Sequence, residues 1–161
     1  MNEQAVRGKH ADKNGVTLIE LAVVLAILAI FAGFALSVSA DKRQIRAIAE
    51  QIRSDVRYAR RIALTEGKTA EILFNTAENY YVIRTLENKA YTLVKTTYLG
   101  PYVTELYTNF PGMTLKYTPR GTLGGRSGTI TVSNGTYTAR LTVTVGAGRI
   151  EITDIIKKTG R

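Results

Sequence analysis

The 161-residue chain is 45% hydrophobic and 22% charged, which suits one modest globular domain with an attached segment rather than a multidomain enzyme. Its 22 lysines and arginines stand against 13 acids, and the net charge of +9 admits nucleic acid or anionic lipid as partners without pointing to either. There is no cysteine and a single histidine, His10, so disulfides, thiolate chemistry and His or Cys metal sites are excluded, and neither metal nor cofactor is expected.

A polar leader carrying Arg7, Lys9 and Lys13 ends in Gly15, and across residues 16–36 the only polar side chains are Thr17 and Glu20. About 20 such residues at 1.5 Å rise match the ~30 Å hydrocarbon core of a bilayer, so the run is long enough to span one. A carboxylate inside it costs a few kcal/mol at the bilayer centre and less near an end, which marks Glu20 as a functional residue. Cleavage after Gly15 leaves the apolar run attached and gives Val16 a free α-amino group, four residues before Glu20 and on the same face of a helix. The carboxylate then has a cation to pair with, at the positive end of the helix dipole. In a stack of such helices, Glu20 of one subunit meets instead the amine of its neighbour and sets the axial register.

A rival cleavage point is Ser37-Val38-Ser39-Ala40, which resembles a signal-peptidase site. Cleavage near Ala40, or none at all, would make the chain a secreted or membrane-anchored β-rich binding domain. Basic residues flank the run on both sides, Arg7, Lys9 and Lys13 before it and Lys42, Arg43, Arg46 and Arg53 after it, so the positive-inside rule does not fix its orientation.

The stretch Lys13-Asn14-Gly15-Val16-Thr17-Leu18-Ile19-Glu20-Leu21 resembles the class III signal of type IV pilins and type II secretion pseudopilins. The resemblance implies cleavage after Gly15 by a prepilin peptidase, N-methylation of Val16, and assembly with other pilins or pseudopilins through Val16 and Glu20. It also implies a single-pass precursor in the cytoplasmic (inner) membrane, its leader in the cytoplasm and its head exported, which then enters a cell-surface or periplasmic filament. Val16 stands where that family usually has Phe, and the span contains no proline, so no proline kink is expected.

Residues 41–66 carry Ile45, Ile48, Ala49, Ile52, Val56, Ala59 and Ala63 at the spacing of one helical face, with Gly67 as a stop. The expectation is one long helix, membrane-embedded at its start and amphipathic at its end. Arg46, Arg53, Arg57 and Arg60 fall on one flank of the stripe, and Asp55 and Glu66 on the other. The basic flank reads either as a docking edge for an acidic neighbour or anionic headgroups, or as a solvated face on which Glu50 neutralises Arg46 and Arg53.

Beyond Gly67 the period falls to two. Strands are predicted at 69–75, 79–85, 90–99, 113–118, 129–133, 137–145 and 149–156, with a looser stretch at 100–112. Asn134-Gly135 marks a hairpin and Gly146-Ala147-Gly148 a second reversal. Alternation in the last two strands places Leu141, Val143, Val145, Ile150 and Ile152 on the buried side, and the loop 119–128 is expected to be the most mobile element. The fold class is α+β: a long N-terminal helix, transmembrane in its first half, laid on antiparallel sheet as in pilins. Its segments are a leader at 1–15, a transmembrane and assembly helix at 16–40, and an exported head at 41–161.

Residues 52–74, with Ala59-Arg60 and Ala63 before Gly67, followed by Gly121, the Thr129-Ile130 strand and Gly148-Arg149-Ile150, resemble the GspH/FimT group of minor pseudopilins. That group includes the pseudopilin H of type II secretion, FimT of type IV pili and minor pilins of competence systems. The resemblance implies a minor subunit that assembles into, or primes the tip of, such a filament.

An enzyme is not expected: the mature chain lacks any Ser-His or Cys-His nucleophile, its carboxylates show no catalytic spacing, and there is no Walker-type glycine loop. DNA binding during natural transformation is the alternative that the resemblance brings. Loss of the leader takes three basic and two acidic residues from totals of 22 and 13 and leaves +8. The C-terminal segment offers Arg149, Lys157, Lys158 and Arg161 for phosphate contacts, joined by Arg120 and Arg126 from the preceding loop. In DNA-binding members the terminal motif resembles Gly-Arg-x-Arg; Gly148 and Arg149 match it, and Glu151 replaces the second Arg. The bland counterpart is that Arg149 belongs to the last hairpin and the tail is a solvated terminus.

Overall fold

A computed structural model describes residues 17–36, 40–146 and 148–158, with the side chains of 32–36 excepted. The chain divides into two units, Met1–Val38 and Ser39–Arg161. In the first, helix α1 (Leu18–Leu36) starts behind Thr17, whose hydroxyl accepts the Glu20 backbone N–H at 3.2 Å while its carbonyl accepts that of Leu21 at 3.1 Å. Thr17 is thus the N-cap and Glu20 the third helical residue, the Ser/Thr-x-x-Glu spacing of a capping box. Among the described residues no helix is long and apolar enough to cross a membrane. The expected continuity of one long helix falls on residues 37–39, and this segment, the rival cleavage site within it and the leader lie outside the described residues.

In the second unit, helix α2 (Ala40–Glu66) buries the whole expected stripe from Ile45 to Ala63, and Ile62 with it. It ends at Gly67, whose φ of +64° suits the left-handed turn that terminates helices. Eight strands follow: β1 (Thr69–Asn75), β2 (Tyr80–Glu87), β3 (Ala90–Tyr98), β4 (Glu105–Thr108), β5 (Thr114–Tyr117), β6 (Gly128–Ser133), β7 (Tyr137–Val143) and β8 (Ile150–Lys157). They form two four-stranded antiparallel sheets, ordered β3-β2-β1-β5 (sheet A) and β4-β6-β7-β8 (sheet B). Between β3 and β6 the chain crosses from sheet A to sheet B, back to A, and to B again. The buried hydrophobic core runs from Ile45 to Ile150, wholly inside this unit, so the head carries its own core.

Local chemistry sets the turns. The Asn75 carboxamide oxygen accepts the backbone N–H groups of Ala77 and Glu78, both at 3.0 Å, and shapes the β1–β2 turn. Asn88 and Lys89, at φ of +50° and +64°, make the two-residue β2–β3 turn, a reversal that the sequence reading did not single out. At the predicted Asn134-Gly135 hairpin, the Asn134 side chain accepts from Thr136 and Tyr137 N–H and donates to the Asp41 carbonyl at 2.9 Å, which ties the turn to the start of α2.

Several expectations need correction. The looser stretch 100–112 contains β4 and opens a 3-10 turn (Pro111–Met113). Val145 lies beyond the end of β7 and is exposed, whereas Ile152 packs half-buried against the core as expected, and a bulge opposite Arg140 and Leu141 moves the next inward position of β8 to Ile155. The loop 119–128 is pinned: Gly124 N–H donates to the Lys116 carbonyl at 2.8 Å, Thr118 N–H to Thr122 at 2.9 Å, and Arg60 Nε to the Gly121 carbonyl at 2.9 Å.

Asp55 is not a flank residue but a buried anchor, 6% exposed. Its carboxylate accepts the Tyr81 hydroxyl at 2.7 Å, the Thr97 hydroxyl at 3.1 Å and Lys95 Nζ at 2.7 Å, so one side chain fastens α2 to β2 and β3. Asp55→Ala leaves the buried Tyr81 hydroxyl without its acceptor, and we expect it to cost the fragment 39–161 about 1–3 kcal/mol in urea unfolding, against about 1 kcal/mol for Tyr81→Phe.

Candidate functional site

Two places carry the residues of interest, one in each unit. In the first, Glu20 stands exposed on the first turn of α1, its backbone N–H taken by Thr17 and its carboxylate without a partner among the described residues. Val16, whose amine is the expected partner, and Gly15 lie outside the described residues.

In the second unit, the end of α2 meets the β7–β8 connection. Arg57, Arg60, Arg61 and Arg149 line a depression of about 320 Å³ together with Leu64 and Gly148. Helical spacing brings the first three to one end of α2, where Arg61 also lies 5.9 Å from the Tyr58 ring centroid. Arg149 is largely exposed and meets Glu151 at 2.8 Å, so the residue that replaces the second arginine of the motif draws off part of its charge.

The base of the depression is rigid. Tyr117, fully buried on β5, donates its hydroxyl to the Gly148 carbonyl at 3.0 Å and so bolts sheet A to the sheet B loop that carries Arg149. Burial pushes the Tyr117 hydroxyl up to about 12, against a smaller opposing effect of Arg60, so it stays a protonated donor at neutral pH. Gly148 has φ of +56°, and a Cβ there would lie 2.5 Å from the Tyr117 ring. Gly121 is similarly constrained: at φ of +69°, a Cβ would lie 2.6 Å from Leu64 on α2, beside the Arg60 contact.

The basic residues expected to act together are separated. Arg149 is at one end of β8 and Lys157 and Lys158 at the other, eight residues on, which is about 26 Å at the rise of a strand. Lys158 sits 3.6 Å from Glu105. Arg120 is exposed on the Thr118–Gly121 turn beside α2, whereas Arg126 lies on the outer face of sheet A, donating to the Asn109 carbonyl at 3.3 Å. Arg161 lies outside the described residues. In the sequence Arg57 and Arg60 fall on one flank of a helix and Arg61 stands apart from them. Their spacing alone says where they point, but nothing local to it says that Gly148 and Arg149 pack beside them. The neutralisation expected on that flank holds for one pair, Glu50 with Arg53.

Comparison with known proteins bears on the family and the fold. The family model described as "Type II transport protein GspH" matches residues 49–148, and the prokaryotic N-terminal methylation motif matches residues 11–36. No curated protein matches the chain. Among solved structures, the type IV minor pilin FimU of Pseudomonas aeruginosa is 18% identical with a TM-score of 0.58, covering 70% of this chain and 90% of its own. The minor pseudopilin EpsH from the type 2 secretion system of Vibrio cholerae is 12% identical with a TM-score of 0.57, covering 68% of this chain and 96% of its own. At these identities the likeness is one of fold.

Gly148→Ala forces both a left-handed residue and a clash with Tyr117. We expect it to lower the unfolding free energy of 39–161 by about 1–3 kcal/mol, and urea unfolding at unchanged m-value would check this; wild-type stability would mean that the ring has room to move.

Proposed function

The chain belongs to the GspH family of type II transport proteins, and from that premise we propose that it is a minor pseudopilin subunit that is cut after Gly15 and enters or primes a filament through its N-terminal helix. The observation that carries this reading is the order of its parts: an N-methylation motif over 11–36 stands directly before a pilin-like head. The family and fold are those of structural subunits.

The physical steps follow from α1. Removal of the leader leaves the apolar run as an anchor in the cytoplasmic membrane until a filament takes it up, and packing among like helices replaces lipid around it. Glu20 is the residue that makes this packing selective. A carboxylate among apolar helices has to find a cation, and the free amine of Val16, its own or a neighbouring subunit's, supplies one. The head stays outside the membrane, where its surface selects neighbours.

DNA binding is a second reading, favoured by one specific observation: four arginines converge on a single depression with one carboxylate, Glu151, beside them. In this reading phosphates sit between the end of α2 and Arg149, with Arg120 on the adjoining turn, while Lys157 and Lys158 form a separate patch.

For assembly, Glu20→Ala is expected to leave the precursor in the membrane fraction and to remove it from sheared filaments, whereas normal incorporation would refute the role of that carboxylate. The intact mass of the mature wild-type chain is expected to begin at Val16; a chain beginning at Ala40 would favour the secreted binding domain. For DNA, binding by fragment 39–161 is to be measured across a salt series. If the arginine depression is the site, Arg57→Gln with Arg61→Gln and Arg149→Gln weakens binding and flattens log K against log salt by about 0.9 per lost duplex phosphate contact. Under the same reading Lys157→Gln with Lys158→Gln changes little, and no binding at low salt would end the DNA reading.

A further inference from the structure

A second charged cavity, of about 310 Å³, opens on the outer face of sheet A and shares no lining residue with the arginine depression. It is built around Glu71 on β1, whose side chain points away from the α2-facing core yet is only 5% exposed. One Glu71 oxygen accepts Nε and Nη2 of Arg84 on β2 at 3.1 and 2.9 Å, and the other meets Lys116 Nζ of β5 at 3.2 Å. Burial alone would push this carboxyl up, but the hydrogen bonds from Arg84 and Lys116 outweigh it and hold the group below the usual carboxylate range. Glu71 is therefore a fixed anion that positions two cations.

Arg84 is held from a second side by Tyr91, whose ring centroid lies 3.7 Å from the guanidinium carbon. Arg126 enters from the loop over the sheet, and Leu123 and Phe110 supply apolar wall. Three cations and one carboxylate thus line the cavity, Arg84 and Lys116 in contact with Glu71 and Arg126 donating to the Asn109 carbonyl at its rim. Two of the five Arg84 N–H donors and one of the three on Lys116 are committed to Glu71, so both retain hydrogen-bonding capacity. A cross-strand clasp would be complete with Glu71 and Arg84 alone. The surplus charge calls for an anion, a planar guanidinium favours a carboxylate, and the apolar wall favours one that sits between apolar groups.

We propose that this cavity is a docking socket for an acidic side chain, a Glu or Asp between apolar residues, presented by an adjoining subunit. The proposal rests on the filament-subunit reading for the identity of the partner, and on charge complementarity for its chemistry. Glu71 is a positioning residue within it, and Arg84, Lys116 and Arg126 are the groups that touch the incoming carboxylate.

The test is amide chemical-shift titration of 15N-labelled fragment 39–161 with the capped tripeptide acetyl-Leu-Glu-Leu-amide, alongside acetyl-Leu-Gln-Leu-amide and sodium acetate at constant ionic strength. The expected result is saturable shifts at Glu71, Arg84, Tyr91 and residues 123–126, with a Kd on the order of 1 mM and binding about tenfold weaker for the Gln peptide. Arg126→Gln is expected to weaken the Glu peptide about tenfold without moving the urea midpoint, Lys116→Gln to weaken it while lowering that midpoint because Lys116 also holds Glu71, and Lys89→Gln on the β2–β3 turn to change nothing. Equal shifts with the Gln peptide, shifts centred on the arginine depression, or full reproduction by acetate would overturn the socket. None of these outcomes touches filament incorporation of the full chain, which is read through Glu20, so the two readings fail separately.

Discussion

The head depends on one amphipathic helix serving as the common wall of two sheets. Among the described residues no strand of sheet A is hydrogen-bonded to a strand of sheet B, and both sheets place their apolar faces in the core that contains α2. Each fully buried Ile or Val on such a face is worth about 1.5–3 kcal/mol, so the stripe through Ile45, Ile52 and Val56 is what makes two small sheets into one body. Polar contacts then fix position rather than supply the bulk of the stability. Asp55 sets α2 against β2 and β3, Asn134 ties sheet B to its first turn, and Arg60 ties its C-terminal half to the 119–128 loop. Tyr117 adds the remaining link, from β5 of sheet A to the loop of sheet B that carries Arg149.

This arrangement explains what was legible in the sequence. Periodicities are local, so the stripe of α2, the stop at Gly67 and seven of the eight strands could be read directly, the other strand, β4, lying hidden in a stretch of prolines and aromatics. The family was also legible, because its processing motif is a contiguous run. The division of the strands between two sheets was not, since it depends on the crossings around β4 and β5, and pairing between strands that no tight turn joins carries no mark in a single sequence. Asp55 was misplaced for a related reason: one position off the stripe, a carboxylate reads as solvated until Tyr81, Thr97 and Lys95 arrive from other elements.

The same limit governs the charges. A net charge of +9 says little, because burial and pairing decide which cations remain for a partner. Lys95 is spent on Asp55, and Arg53 on Glu50, both at contacts that close within the head. Arg149, Lys157 and Lys158 looked like one basic tail because they are close in sequence, but an extended strand is the conformation that separates such neighbours most widely. The arginines that do converge come from a helix and a loop some 90 residues apart in the chain. Net charge therefore gave permission for an anionic partner, and topology chose the places where one fits.

Glu20 belongs to a different kind of constraint. As the third residue of a capped helix it already has a local reason to be acidic, since a carboxylate favours the positive end of the dipole by about 0.3–1 kcal/mol. That gain is smaller than the few kcal/mol that a charge costs within an apolar run, so capping by itself does not account for an acid here. Thr17 accepts the Glu20 backbone N–H, which fills one half of the capping box, and among the described residues the carboxylate has no partner. What remains is a charge whose cost falls only when a cation is brought against it. Under the proposed assembly role, the amine of another chain is the cation that lowers this cost, and packing beside it would favour the assembled helix over the lone one.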